Sequence, residues 1–146
     1  MFMSQSSLRV VSGLPFVREK LTQLYVARVR GDMAAFAAGF AVDGVFHLLG
    51  DPRLVPEAGP RCGRAAIQAV LESLFRNYQY IDGLLVDMIV DLNAAVVRRH
   101  VTLRSPATGA IAEFEVAEHL RLRDGEIVEL VQFMDTASMA VLAGRI

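Results

Sequence analysis

From residue 79 to residue 134 apolar residues recur at every second position, and no other feature constrains the fold of this chain as strongly. Four alternating runs, at roughly 80–91, 94–105, 110–122 and 126–134, are joined by connections too short to hold a helix. Strands joined in this way pair with their sequence neighbours as an antiparallel meander. The N-terminal half carries the helical period instead. Pro15 suits a first helical turn, and Val17, Leu21, Leu24 and Arg28 form one stripe flanked by Tyr25. This helix ends near Gly31. Asp32 then caps a short second helix with Met33, Phe36, Ala37 and Phe40 on one face. A first strand is predicted at 43–49 and a loop at 50–62, which holds Pro52, Pro56 and Pro60. A third helix follows at about 63–78, marked by Ile67, Val70, Leu71, Leu74 and Phe75. Segregated helices and an antiparallel sheet define an α+β protein. Its length of 146 residues suits one domain, expected over 13–143 behind a flexible tail at 1–12.

Two runs are apolar on both faces. Residues 84–90 (LLVDMIV) are interrupted only by Asp87, and 127–134 (IVELVQFM) by Glu129 and Gln132. Helices cover one face of such a sheet. A second copy of the chain is the simplest cover for the other, so a homodimer packed through the outer sheet face is expected. The alternative is a sheet that tolerates scattered exposed valines.

Strand parity singles out three polar residues. In 94–105 the odd face reads Ala95, Val97, Arg99, Val101, Leu103; in 110–122 the even face reads Ala112, Phe114, Val116, Glu118, Leu120, Leu122. The even face of 126–134 reads Val128, Leu130, Gln132, Met134. Arg99, Glu118 and Gln132 are each the one polar member of an apolar face. They share that face only if the loop between the last two strands has odd length. A three-residue loop with a left-handed Gly125 would satisfy this and set Gln132 diagonal to Glu118. Burying any of the three alone costs several kcal/mol, of order 2–7 for a neutral group and more for a charge. They therefore either pair as a buried ion pair that sets register or line a pocket with a few convergent polar groups on apolar walls.

The remaining signals exclude functions. A net charge of −1 without a Lys/Arg-rich block argues against nucleic acid. No apolar run approaches the ~18 residues of a membrane span. The first residues lack the apolar core of a secretion signal, so a cytoplasmic protein is the default. Cys62 is the single cysteine and reads as a loop bystander. His47, His100 and His119 lack metal-ligand spacing, so no metal is expected, and no phosphate-binding glycine loop or nucleophile elbow occurs, so no cofactor is expected. His100 and His119 fall on outward faces. His47 points away from Leu48, although a bend at the strand end would bring it to a pocket mouth as a general base. Asp135 reads as a cap for the segment 136–143.

The order of elements, with GDMAAFAAGFAVDGVFHLLG, GPRCGRAAIQAVLESLF and EHLRLRDGEIVELVQFMDTA, resembles the nuclear transport factor 2-like superfamily over about residues 14–140. Within it the SnoaL-like group, related to ketosteroid isomerases and polyketide cyclases, is most similar. The resemblance implies a cystatin-like cone: three N-terminal helices packed into a strongly curved, mainly antiparallel sheet, open at one end to an apolar pocket, and usually dimeric. Ketosteroid isomerases use a helix-1 tyrosine, a first-strand aspartate and a third-strand carboxylic acid. Alignment on Gly31-Asp32 and Asp43 sets Leu24, Leu48 and Glu118 at those positions. Limonene epoxide hydrolases use an Asp–Arg–Asp set, which here falls on Val101, Arg99 and Gln132. Neither set is complete. The pocket so implied has Glu118, Arg99 and Gln132 as its working groups. Its walls would be Leu24, Phe36, Phe40, Phe46 and Leu48 from the N-terminal half. Val101, Leu103, Phe114, Val116, Leu120, Leu130 and Met134 would supply the sheet side.

Three functions compete at this point. The first is a cofactor-free acid–base isomerase, cyclase or hydrolase acting on an apolar, polycyclic or terpenoid-like compound. In it Glu118 serves as acid or base, Arg99 orients it or binds substrate oxygen, and Gln132 holds a water or carbonyl. The second is a non-catalytic binding module for an apolar ligand, with Arg99 recognising a carboxylate or hydroxyl. The third is a structural dimer.

Overall fold

The computed structural model describes residues 13–146; the tail expected at 1–12 lies outside the described residues. Helix α1 (Leu14–Val29) begins with Pro15 in its first turn and gives way to Gly31, whose φ of +83° lets the chain reverse against Phe75. Helix α2 (Met33–Ala38) is capped by Asp32, whose Oδ1 accepts from the Ala35 amide at 3.0 Å. Then come β1 (Phe40–Leu48), β2 (Gly59–Cys62) and α3 (Arg64–Asn77). The four long strands are β3 (Gln79–Val90), β4 (Ala94–Arg104), β5 (Ile111–Arg123) and β6 (Glu126–Phe133), and α4 (Thr136–Leu142) closes the chain. Asp135 caps α4 through the Ser138 amide, as expected.

All six strands form one sheet in the order β2-β1-β6-β5-β4-β3. Every neighbouring pair is antiparallel except β1–β6, which is parallel. The meander of β3 to β6 is as the alternation predicts. The sheet is curved, and its ladder is interrupted within the β1–β6, β3–β4 and β5–β6 pairings; such bulges bend a strand and raise its twist. At the β1 irregularity sits Gly44, where a Cβ would meet the Ala41 carbonyl at 2.9 Å and the Ile127 carbonyl at 3.0 Å. Only a residue without a side chain lets β1 approach β6 this closely.

The loop expected at 50–62 is not free. Its last four residues are β2, paired with β1, and Val55, Glu57 and Ala58 are buried. Glu57 accepts from Ser73 Oγ at 2.8 Å and Asn77 Nδ2 at 2.9 Å, which ties the segment to α3. The prolines concealed a short edge strand, where a missing N–H is tolerated.

The hairpin between β5 and β6 departs from expectation in one detail. Arg123 pairs with Glu126 across a two-residue turn in which Asp124 (φ 53°) and Gly125 (φ 77°) are both left-handed. This is the tight-hairpin geometry that Asp-Gly favours. The odd offset comes instead from a bulge: Leu122 faces Ile127 and Arg121 faces Glu129, leaving Val128 unpaired and half-buried. The bulge gives the core position to Ile127 and sets Glu118 directly opposite Gln132, not diagonal to it.

Two rows cross the sheet from edge to edge. Met88, Val97, Glu118, Gln132, Leu48 and Gly59 are successive partners on the inner face. Ile89, Val96, His119, Val131, His47 and Pro60 are successive partners on the outer face. Helices cover the inner row, whereas Ile89 and Val96 are exposed. Among the described residues no helix is long and apolar enough to cross a membrane.

Candidate functional site

Glu118 is wholly buried, three side chains bond to it, and Gln132 joins the cluster through one of them. Two come from α1. Tyr25 donates its hydroxyl to Oε2, and Arg28, one turn further on, donates Nη1 to Oε1 at 3.0 Å. From β4, Arg99 donates Nε to the same Oε1 at 3.0 Å and adds a second bond through Nη2. Gln132 on β6 accepts from Arg28 Nη2 at 2.6 Å and turns its own amide Nε2 to Met134 Sδ at 3.2 Å. The guanidinium of Arg28 also lies over the rings of Phe36 and Phe46, at 5.1 and 5.8 Å from their centroids; that of Arg99 lies over Tyr25 at 5.6 Å.

The electrostatics follow from these contacts. Burial alone would push the Glu118 carboxyl upward, but the charges of Arg99 and Arg28, with hydrogen bonds from Tyr25 and Arg99, hold it below the ordinary carboxylate range. It is therefore ionised. Burial, reinforced by the Glu118 charge, raises Tyr25 well above its ordinary value and keeps it a neutral donor. Burial lowers Arg28, whereas for Arg99 the pull of Glu118 and its paired hydrogen bonds outweigh burial and the net shift is upward. Both remain guanidinium ions.

A cavity of about 70 Å³ opens beside this cluster. Arg28, Arg99 and Gln132 line it, and Glu118 does not: the carboxylate is the support behind the groups that face the cavity. The walls are apolar or aromatic. Met33 from α2, Leu71, Leu74 and Phe75 from α3, Met139 from α4, and Tyr78 and Tyr80 join the sheet residues Val101, Leu103, Val116 and Met134.

The expected wall residues thus divide. Val101, Leu103, Val116 and Met134 face the cavity. Phe36, Phe40, Phe46, Leu48, Leu120 and Leu130 are fully buried, and Phe114 nearly so, outside its lining. Leu120, Leu130 and Phe46 are successive inner-face partners on the side of Glu118 away from Arg99, whereas Phe114 pairs with Val101 of the cavity wall. Tyr25, Phe36 and Phe40 stack edge to face at 5.4 and 5.9 Å. Leu24 is also absent from the cavity; it is half-buried over Gly39, where a Cβ would collide with it. The tyrosine of α1 that reaches Glu118 is Tyr25, one residue after the Leu24 that the alignment set at that position. The segment 50–62 contributes nothing to the lining. His47 lies on the outer row, half-buried, on the side of the sheet away from Glu118. His100, also outward, is raised by hydrogen bonding to Glu115, outweighing the effect of burial.

Arg28 is a member of the cluster that strand parity does not reveal. Its signal is nonetheless present, as a charge on the apolar stripe of α1 in step with Val17, Leu21 and Tyr25. Chemically, the cavity end of the cluster offers hydrogen-bond donors and positive charge. Glu118 has both oxygens engaged and offers no free base.

A family model described as the SnoaL-like domain matches residues 21–130. No curated protein matches the chain in sequence. Among solved structures, an NTF2-like protein from Burkholderia xenovorans is similar with a TM-score of 0.74 and 19% identity, covering 89% of this chain and 97% of that one. A protein of ketosteroid isomerase-like fold from Catenulispora acidiphila, solved in complex with trimethylamine, gives a TM-score of 0.72 at 15% identity, covering 86% and 92%. TerC, co-crystallised with polyporic acid, gives 0.74 at 18% identity, covering 88% and 98%. These TM-scores establish the cone-shaped nuclear transport factor 2-like fold, and identities this low leave activity to the site itself.

Proposed function

The chain belongs to the SnoaL-like domain family, and on that premise we propose that it is a small-molecule pocket protein whose cavity receives an apolar compound by an oxygen-bearing end. The observation that carries this reading is the convergence of Arg28, Arg99 and Gln132 on one end of an otherwise apolar cavity. Complexes of two proteins of this fold with trimethylamine and polyporic acid support small-molecule binding. Any chemistry here is electrophilic in character: donors that polarise or hold a ligand oxygen, with Glu118 fixing them in place. Proton transfer by Glu118 is opposed by the two arginines on Oε1, which hold the carboxylate ionised, and by the Tyr25 hydroxyl, which occupies Oε2. The binding reading is therefore favoured over acid–base catalysis.

The test is a titration with single-ring ketones and carboxylic acids, followed by amide chemical shifts, on wild type and Val116→Phe. Saturable shifts around Val101, Val116 and Met134 are expected, with binding at least about tenfold weaker in the filled variant. Equal binding by both proteins would sink the pocket.

A homodimer through the outer sheet face belongs to the same reading, supported by the exposed Leu84, Ile89 and Val96 and by the edge position of β3. Sedimentation velocity should give twice the chain mass for wild type and a monomer for Val96→Asp. A monomeric wild type at micromolar concentration would exclude this assembly.

A further inference from the structure

We propose that the ligand of this cavity is an organic anion, an apolar body of about one ring whose delocalised two-oxygen head completes the charge balance of Arg28 and Arg99. The proposal rests on the pocket reading above and adds the chemical class. Two guanidinium ions and one carboxylate meet at the inner end of the cavity, leaving one positive charge over. The two arginine side chains are only 9% and 10% exposed, so water does little to compensate it. Glu118 is the one carboxylate that either arginine contacts among the described residues, and residues 1–12 contain no Asp or Glu. Tyr25 is a donor here and brings no negative charge. Further out, Glu57 and Arg145 act on Tyr78 and Asp82 acts on Tyr80; none of the three bonds to either arginine, and Glu57 is engaged by Ser73 and Asn77 of α3, so the unmatched charge at the arginines remains a local one.

The donor count agrees with the charge count. A guanidinium carries five N–H groups. Arg28 commits Nη1 to Glu118 and Nη2 to Gln132; Arg99 commits Nε and Nη2 to Glu118. Arg28 Nε and Arg99 Nη1 have no acceptor among the described residues, and both side chains line the cavity. One free nitrogen donor on each of two neighbouring guanidinium ions suits a two-oxygen anion that bridges them better than a single carbonyl. The volume limits the body. A cavity of about 150 Å³ is known to hold benzene, and this one has about 70 Å³ and an open mouth. It seats the head and part of one ring, and a fused polycycle would require its walls to part.

The head is either a carboxylate or the enolate of an acidic 1,3-dione, which presents the same two-oxygen charge. The experiment titrates wild type at neutral pH with benzoate, with 1,3-cyclohexanedione as its enolate, and with benzamide as the neutral counterpart of benzoate. At least one anion is expected to bind about tenfold or more tightly than benzamide, and which one identifies the head. Arg28→Met removes the excess charge and leaves Arg99 and Glu118 as a neutral pair, so the preference for the anion should vanish there. Should that variant not fold, the wild-type ratio of benzoate to benzamide decides alone. Benzamide binding as tightly as both anions overturns the proposal and leaves the pocket standing. Anion binding unchanged in a folded Arg28→Met overturns it as adventitious. Failure of all three compounds to bind overturns the pocket reading and the proposal together.

Discussion

Glu118→Leu should lower the stability of the fold by about 3–5 kcal/mol, the cost of leaving buried charge unpaired. For a chain of 146 residues this corresponds to a fall of roughly 10–15 °C in melting temperature. The substitution removes the single acceptor shared by Arg28, Arg99 and Tyr25 and leaves two guanidinium ions with little access to water. Glu118→Leu/Arg28→Met/Arg99→Met should recover most of the loss, because an apolar replacement of similar volume avoids the desolvation cost altogether. The pair of variants separates a cluster kept for ligand recognition from one kept for stability. Acid titration gives an independent readout. The folded-state pKa of Glu118 is depressed, since Arg99 and Arg28 together overcome the opposing effect of burial. Its stabilisation is therefore fully present above the unfolded glutamate pKa of about 4.3 and is lost as pH falls through the lower folded value. Melting temperatures from pH 7 to pH 3 should fall at the acid end in wild type, with this component missing from the triple variant. A single variant that melts within about 1 kcal/mol of wild type would mean that water already compensates the arginines.

How far these features can be read from the chain depends on whether their cause is local. The strands β3 to β6 follow from alternation alone, whereas the sharing of one face by Arg99, Glu118 and Gln132 needs one odd residue between β5 and β6 as well. Their face is set by parity, and parity survives any error in the loop that preserves it. The means was misread: nothing in the composition of EIVEL marks Val128 as an extra residue, whereas Asp124-Gly125 is an ordinary tight-turn pair. The parallel pairing of β1 with β6 joins segments some eighty residues apart and has no local signature. On α1 the stripe is broad enough that Leu24 and Tyr25 both border it, and the packing of Leu24 over Gly39 turns Tyr25 inward. Parity also cannot tell a residue that faces a cavity from one that faces a ring. Phe46, Leu48 and Leu120 point inward as expected, but the aromatic stack beneath α1 and α2 fills the space before them.

Inserting one alanine after Val131 should abolish cooperative unfolding, whereas deleting Val128 should not. Val128 is the one residue of β6 between Glu126 and Phe133 without a partner on β5. With it gone, Arg123 still faces Glu126 and Leu122 still faces Ile127 across the same two-residue turn. Arg121, Leu120 and Glu118 still face Glu129, Leu130 and Gln132, so the inner face keeps its members. The inserted alanine, in contrast, takes the place opposite Glu118. It turns Gln132 outward and carries Phe133 inward, since a one-residue slip moves each later side chain to the other face. Gln132 is buried and holds Arg28, so the slip exposes core and strands a charge at once. The deletion variant should therefore unfold cooperatively, with amide protection kept at Glu118 and Gln132, and the insertion variant should lose both. Loss of cooperative unfolding in the deletion would mean that the site depends on the twist the bulge adds to β6 and not on register alone.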